Sequence, residues 1–457
     1  MTLFEKVRII GLAPQSVSDP VDVAVEGGYI VEVGAGLSAR YPRAKRETAA
    51  PYVSAGLVCG HNHFYSALAR GLAVDIAPSK DFAQQLRHLW WRLDRALDDE
   101  IVRWSGYAGA AEAVMCGVTS VVDHHASPEH IDGSLSLLRE GFERVGLRGV
   151  LCYETTDRNG AEGARAGVRE NLRFAAEIDA ARRSTTTANR DDGSSPAPPL
   201  VEAAIGAHAG FTIGDDTLGA IAEAVRSSGR GLHIHAAEDR YDAADSRHRF
   251  GADLAVRLDQ AGCLGPKSII AHGLYLTEDE VALMNERGAF LAHNARSNMN
   301  NGVGYNTLLP RYRNSVLGTD GIGSDMVAEA SFAYFKHRDS GGPLWPPAFL
   351  EMLDRGNRIL EQYFVGPGWP TGEPRFGRVL PGYAADLVFW DYDPPTPLTG
   401  ENLAGHVMFG MSSRSVHSVL VGGQFLLKGR VPQFDAGEIF AHSREQTRRL
   451  WKRMEER

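Results

Sequence analysis

Apolar and polar residues alternate along two separate stretches of the chain, one near each end, and a different periodicity fills the middle. Val7 to Ile10, Val21 to Val25 and Tyr29 to Val33 read as short strands, with Glu26-Gly27-Gly28 as a turn. The same pattern returns in Gly382 to Trp390, Val416 to Val421 and Phe425 to Leu427, where Gly422-Gly423 forms a two-residue turn between the last two. Strand-rich ends around a different middle predict one small β-sandwich domain built from residues 1–55 plus 375–435.

In the middle, short apolar runs alternate with helical patterns. Strands are predicted to end near His61, Asp123, Tyr153, His208, His235, His272, His293 and Asp320. Helices are predicted over Asp98 to Cys116, Thr217 to Ser228, Ala252 to Ala261 and Glu278 to Arg287. Eight strand-helix units predict an α/β fold, a (β/α)8 TIM-like barrel over residues 56–374. A doubly wound open sheet is the alternative, but no Gly-rich phosphate loop follows the first strand, which also argues against a Rossmann oxidoreductase. Arg183 to Pro199 is polar and rich in Ser, Thr and Pro, so a flexible surface insertion is expected at 183–199, between the third helix and the fourth strand. Residues 436–457 predict a charged amphipathic helix on the surface.

Composition narrows the function classes. With 457 residues, 43 % hydrophobic and 23 % charged, the chain can bury a large core over more than one domain. A formal charge of −9 and no basic run exclude nucleic acid as the expected partner. No leader-like start and no run of about 18 apolar residues is present, so no membrane partner is expected and the expected location is cytoplasmic. Cys59, Cys116, Cys152 and Cys263 lack metal-ligand spacing and read as buried reduced thiols.

The barrel gives scattered histidines a common address, because residues at the C-terminal ends of its strands converge on one mouth. His61 and His63 differ by two, so on a strand both point to one face and can chelate one ion. His235 and Asp320 complete a set that suits zinc while leaving a position for water, whose pKa falls towards neutrality there. His233 shares the face of His235, and only Glu238, three residues on, favours the latter. Asp320 can also accept the water proton, Glu238 would shuttle it to the departing group, and His272 would polarise the substrate or hold the attacking oxygen.

AGLVCGHNHFYSALARGL, HIHAAED, AHGLYL, HNARSN and LGTDG, in this order, closely resemble the amidohydrolase superfamily, in the branch of cytosine and guanine deaminases, triazine hydrolases and adenosylhomocysteine deaminase. GVTSVVDHHAS, GAHAGFTIGDD and HNARSNMNNGVG are most similar to SsnA-type aminohydrolases. The resemblance implies a mononuclear site, since the fourth strand, VEAAIGAHAG, has no lysine of the kind that two-metal relatives carboxylate. One Zn2+ is expected, with Fe2+ also suited to the ligands. The resemblance further implies that His208 touches substrate. After the seventh strand, Ser297-Asn298-Met299-Asn300-Asn301 lacks the lysine of relatives.

Tyr65, Arg70, Asp123, His124, His125, Glu154, Arg158 and Arg296 follow strand ends, so Tyr65, His208, Glu154, Arg158, Arg296 and Asn298 are the candidates for substrate binding. Several arginines would suit a carboxylate on the substrate. The expected reaction is hydrolysis at an amidine-like carbon of a small nitrogen heterocycle, releasing ammonia. Displacement of sulfur or chloride and opening of a cyclic amide use the same residues, and an idle barrel that only binds is the non-enzymatic alternative. Relatives suggest a homo-oligomer, a dimer, and Trp90-Trp91 is a candidate for interface or core.

Overall fold

The computed structural model describes residues 1–48, 50–192, 199–365 and 372–457. Its centre is a ring of parallel strands: β1 (Leu57–Asn62), β2 (Val118–His125), β3 (Arg148–Tyr153), β4 (Ile205–Ala209), β5 (Leu232–Ala236), β6 (Ile269–His272), β7 (Phe290–His293) and β8 (Ser315–Leu317). Every residue of all eight is buried. Strands covered on both faces gain nothing from polar positions, which is why they read as continuous apolar runs.

Backbone pairing divides the ring into two sheets, β1 to β3 and β4 to β8, with Val201–Ala203 extending the first beside β3. Hydrogen bonds stitch both seams. At one, the chain changes sheets at Ala204, and the His208 amide donates to the Thr155 carbonyl at 2.9 Å. At the other, the amides of Thr319 and Asp320 both donate to the His61 carbonyl, at 2.9 and 3.0 Å. The eight predicted strand ends therefore coincide with the mouth of a TIM-like barrel, and Asp320 lies just beyond the end of β8.

The helices follow local signals that the sequence carries. The Asp98 side chain caps the helix Asp99–Met115 by accepting from the Ile101 amide. Thr277 and Glu280 form a reciprocal capping box on Glu278–Arg287, which ends at Gly288 in the left-handed region. The polar segment after the third helix departs from expectation. Residues 183–192 continue the helix Gly160–Asp192 instead of leaving it as a loop, and residues 193–198 lie outside those described. Ser and Thr cost a helix only about half a kcal/mol each, and the first strong breakers in the segment are Gly193 and Pro196.

Both chain ends build a second layered unit. Its strand order is Val431–Pro432, Gln424–Lys428, Val416–Val421, Leu387–Trp390, Tyr52–Ala55, Thr2–Leu12, Val21–Glu26, Tyr29–Gly34. Thr2–Leu12 bends at a bulge between Phe4 and Val7, pairing Val21–Glu26 with its first half and Tyr52–Ala55 with its second. The halves share a core in which Phe4 meets Phe389 at 4.7 Å between ring centres. Gly27-Gly28 and Gly422-Gly423 turn with positive φ at both positions, as tight hairpins require. The C-terminal helix Ala436–Glu455 buries Leu450 and Met454 against Leu93, Leu97 and Ile101. Three cysteines are buried and Cys116 is partly so, all unpaired. No helix among the described residues is long and apolar enough to cross a membrane.

Candidate metal centre

Five side chains from four strand ends meet at the mouth, His61 and His63 both from the end of β1. His63 Nε2 lies 2.8 Å from Asp320 Oδ1 and 3.1 Å from His235 Nε2, and His61 Nε2 lies 3.4 Å from the same carboxylate oxygen. One donor atom from each of His61, His235, His272 and Asp320 fits within 4.8 Å of all the others. Donors at about 2.0–2.1 Å from one zinc ion stand roughly 2.8–3.4 Å apart at octahedral to tetrahedral angles. The observed spacings match.

The ring orientations are fixed from behind. His63 Nδ1 faces the His124 carbonyl at 2.5 Å and His235 Nδ1 the His208 carbonyl at 2.7 Å, so both rings donate there and aim an Nε2 lone pair inward. His61 Nδ1 lies 2.8 Å from His233 Nε2, and His233 Nδ1 lies 3.6 Å from Cys152 Sγ. This places His233 behind His61 as its support, and His235 in the cluster. His61 Nε2 and His272 Nε2 are buried without a hydrogen-bond partner among the described residues. Inward lone pairs that no proton donor satisfies are the arrangement a divalent cation completes.

Electrostatics agree. Burial would raise the Asp320 carboxyl, but the His61 and His63 imidazoles beside it hold it well below the usual carboxylate range. Burial pushes His61 down to about 3 and His235 well below its ordinary value. On His63 burial acts the same way, yet the Asp320 and Glu154 carboxylates carry it up to about 9, so this spot favours positive charge. Glu238 is pushed up to about 7 by burial, against the pull of His272, whose Nε2 is 3.6 Å from Oε2. A carboxyl group poised there can both take and give a proton near neutral pH.

Three residues at this mouth hold left-handed backbone without being glycine: Ala237 (φ 50), His272 (φ 72) and Asp320 (φ 51). Such conformations cost about 1–3 kcal/mol each and persist where the surroundings enforce them. The amidohydrolase family model matches residues 52–353, which is most of the barrel and the whole donor cluster. The chain belongs to the amidohydrolase family. This amidohydrolase is 27 % identical over 398 residues to 5'-deoxyadenosine deaminase of Methanopyrus kandleri, covering 85 % of this chain and 84 % of that one. It is 26 % identical over 449 residues to 5-methylthioadenosine/S-adenosylhomocysteine deaminase of Pelotomaculum thermopropionicum, covering 96 % and 95 %. In fold it is similar to an adenosine deaminase from Xanthomonas campestris with bound zinc, at TM-score 0.79, 23 % identity, and coverage of 99 % of this chain and 98 % of that one. Atrazine chlorohydrolase TrzN from Arthrobacter aurescens, complexed with zinc, is similar at TM-score 0.78 and 20 % identity, over 98 % and 100 %. The expected family, barrel architecture and metal-dependent hydrolase class are borne out.

The amidohydrolase cavity opens over the cluster and is lined by His63, Tyr65, Glu154, His208, His235 and Glu238. Other predicted residues sit elsewhere. Arg296 does not line it; its Nε is 2.5 Å from buried Glu329 Oε2, a carboxylate that must be paired at that depth. Arg158 pairs with Asp94 at 2.8 Å, stacks on Trp91 and lines an adjoining cavity. Asn298 acts behind the cluster, with Oδ1 2.8 Å from His272 Nδ1. Sequence reasoning missed Ser297, which donates to Asp320 Oδ2, and Asn301, whose Nδ2 is 3.2 Å from Glu238 Oε1. Their i, i+4 spacing after β7 was the available signal. It also missed the aromatic walls Trp91 and Phe211; Trp90-Trp91 lines the cavity.

Proposed function

We propose that this amidohydrolase removes ammonia from an amidine-like carbon of a small nitrogen heterocycle, with His61, His63, His235 and Asp320 holding one zinc ion. The observation that carries the reading is the Glu238 carboxylate at 3.6 Å from His272, beside a donor cluster whose lone pairs converge. A divalent cation held there supplies Lewis acidity that makes water nucleophilic near neutral pH. Asp320, oriented by Ser297, accepts the proton of the attacking water. Glu238 gives its proton to the ring nitrogen, takes over the water proton from Asp320 and passes it to the leaving amine, and His272 holds the incoming oxygen. The C–N bond breaks as the tetrahedral adduct becomes a carbonyl.

The deaminase names of the sequence relatives support an adenosine-like ring as the substrate. The test is purified protein assayed for bound metal, then offered 5'-deoxyadenosine, 5-methylthioadenosine, aminated pyrimidines, chlorotriazines and cyclic amides, with separate readouts for ammonia, chloride and ring opening. Ammonia from an aminated ring is the expected result; chloride release or ring opening alone replaces the reading, and a metal-free, inert protein overturns it.

The reading includes a barrel domain at 56–374 joined to a sandwich from 1–55 plus 375–435, a cytoplasmic location and a homodimer. Unpaired cysteines suit a reducing compartment. Half-exposed Phe335 and Phe409, 5.7 Å apart between ring centres, support self-association, which light scattering measures.

A further inference from the structure

Glu154 directly follows β3 and is 3 % exposed, and His208 lies on β4 at the adjoining seam. Their side chains approach inside the cavity, with Glu154 Oε2 3.8 Å from His208 Nε2, too far for a hydrogen bond. The other carboxylate oxygen is engaged, 3.1 Å from His124 Nδ1. His208 Nδ1 lies 3.0 Å from Thr212 Oγ1, and that hydroxyl donates its own proton to the Ala209 carbonyl. Thr212 can therefore only accept from His208, so Nδ1 carries the ring proton and Nε2 presents a lone pair. Two acceptors thus face the cavity side by side, and neither receives a hydrogen bond among the described residues.

We propose that Glu154 and His208 form a two-acceptor clamp for the donor edge of the substrate ring, selecting aminated heterocycles that carry a second amino group or ring N–H beside the reacting amidine. This rests on the aminohydrolase reading and names its substrate class. Glu154 Oε1 lies 3.3 Å from His63 Nδ1, and the other nitrogen of that ring belongs to the donor cluster. One imidazole separates the clamp from the reacting position, so the group that reaches it belongs to the ring under attack or is attached directly to it. Trp91 and Phe211, each with its ring centre 6.3 Å from that of His208, supply walls for a flat ring. A ring without the second donor leaves a buried carboxylate oxygen unpaired, which is the strongest basis for discrimination that a polar pocket has.

The test is calorimetric binding of 2,6-diaminopurine and 6-aminopurine to the zinc-loaded protein, wild type and Glu154→Gln, with ammonia release followed in parallel. The wild type is expected to bind the diamino probe at least about tenfold more tightly, the value of one charge-assisted hydrogen bond. Glu154→Gln is expected to lose that preference at unchanged zinc content and melting temperature. Equal affinities in the wild type, no binding of the diamino probe, or a preference kept by folded Glu154→Gln each overturn the clamp. If Glu154→Gln does not fold, the wild-type pair and His208→Gln decide. An adenosine over 2'-deoxyadenosine preference erased by Glu154→Gln overturns it too, since the carboxylate then reads a sugar. A diamino preference without ammonia from any aminated ring upholds the clamp and removes the aminohydrolase reading.

Discussion

The Asp320 amide donates to the His61 carbonyl at 3.0 Å, while Asp320 Oδ1 lies 3.4 Å from Nε2 of the same histidine. The pair closes the barrel seam with its backbone and the donor cluster with its side chains. Replacing only the carboxylate should therefore separate fold from function. Asp320→Asn is expected to keep its far-UV circular dichroism, bind zinc at least about tenfold more weakly, and lose about 10²- to 10⁴-fold in ammonia release. Full zinc content at wild-type turnover would remove Asp320 from the site.

Gly318 makes that seam possible. A Cβ there would stand 2.9 Å from the His61 backbone nitrogen and 2.4 Å from Asn294 Oδ1, closer than side-chain carbons come. Gly318→Ala must push β8 from β1, carrying Asp320 with it. The expected cost is about 1–3 kcal/mol in urea unfolding, as for other overpacked cores, together with weaker zinc binding in a chelator competition. Unchanged values in both would show that the seam yields more easily than its contacts imply.

The sequence made the barrel legible because its strands are buried on both faces and end in chemistry. His61, Tyr153, His272 and His293 mark strand ends within a residue of those observed. The cluster was legible for the same reason, since a ring of parallel strands brings their ends together whatever their separation along the chain. What lay beyond reach depended on direction in space. Arg158 and Arg296 follow strand ends like Glu154 does, but their long side chains turn to Asp94 and Glu329, which nothing in the local pattern foretells. Residues 183–192 looked like a loop by composition and are helical, because polar residues do not stop a helix that no Gly or Pro interrupts.

Asp242 holds the loop that carries Glu238. Its two carboxylate oxygens accept from the amides of Phe211 at 2.8 Å and Ala237 at 2.7 Å, the latter at φ 50. An asparagine can accept only one of these and turns an N–H₂ towards the other. Asp242→Asn is expected to lose about 1–3 kcal/mol of stability and to lower kcat with zinc still bound, because Glu238 shifts. A stable variant with unchanged kcat would free the Glu238 loop from this anchor.

Glu238 carries a pH signature of its own in the metal-free chain. Burial raises its carboxyl from 4.5 to about 7, with His272 and His63 opposing and Asp320 reinforcing. Between those values the folded state keeps a proton that the unfolded chain releases. Stability therefore falls as pH rises from about 4.5 to 7, by on the order of 1–3 kcal/mol from this group, and is flat above. Glu238→Gln cannot titrate, so the wild type minus variant difference, from urea unfolding of chelated protein, should shrink by that amount over this window. In the zinc-loaded protein the same variant should keep its metal and lose about 10²- to 10⁴-fold in ammonia release. A pH-independent difference would mean that Glu238 is ionised throughout, and would leave His272 as the group that moves the proton.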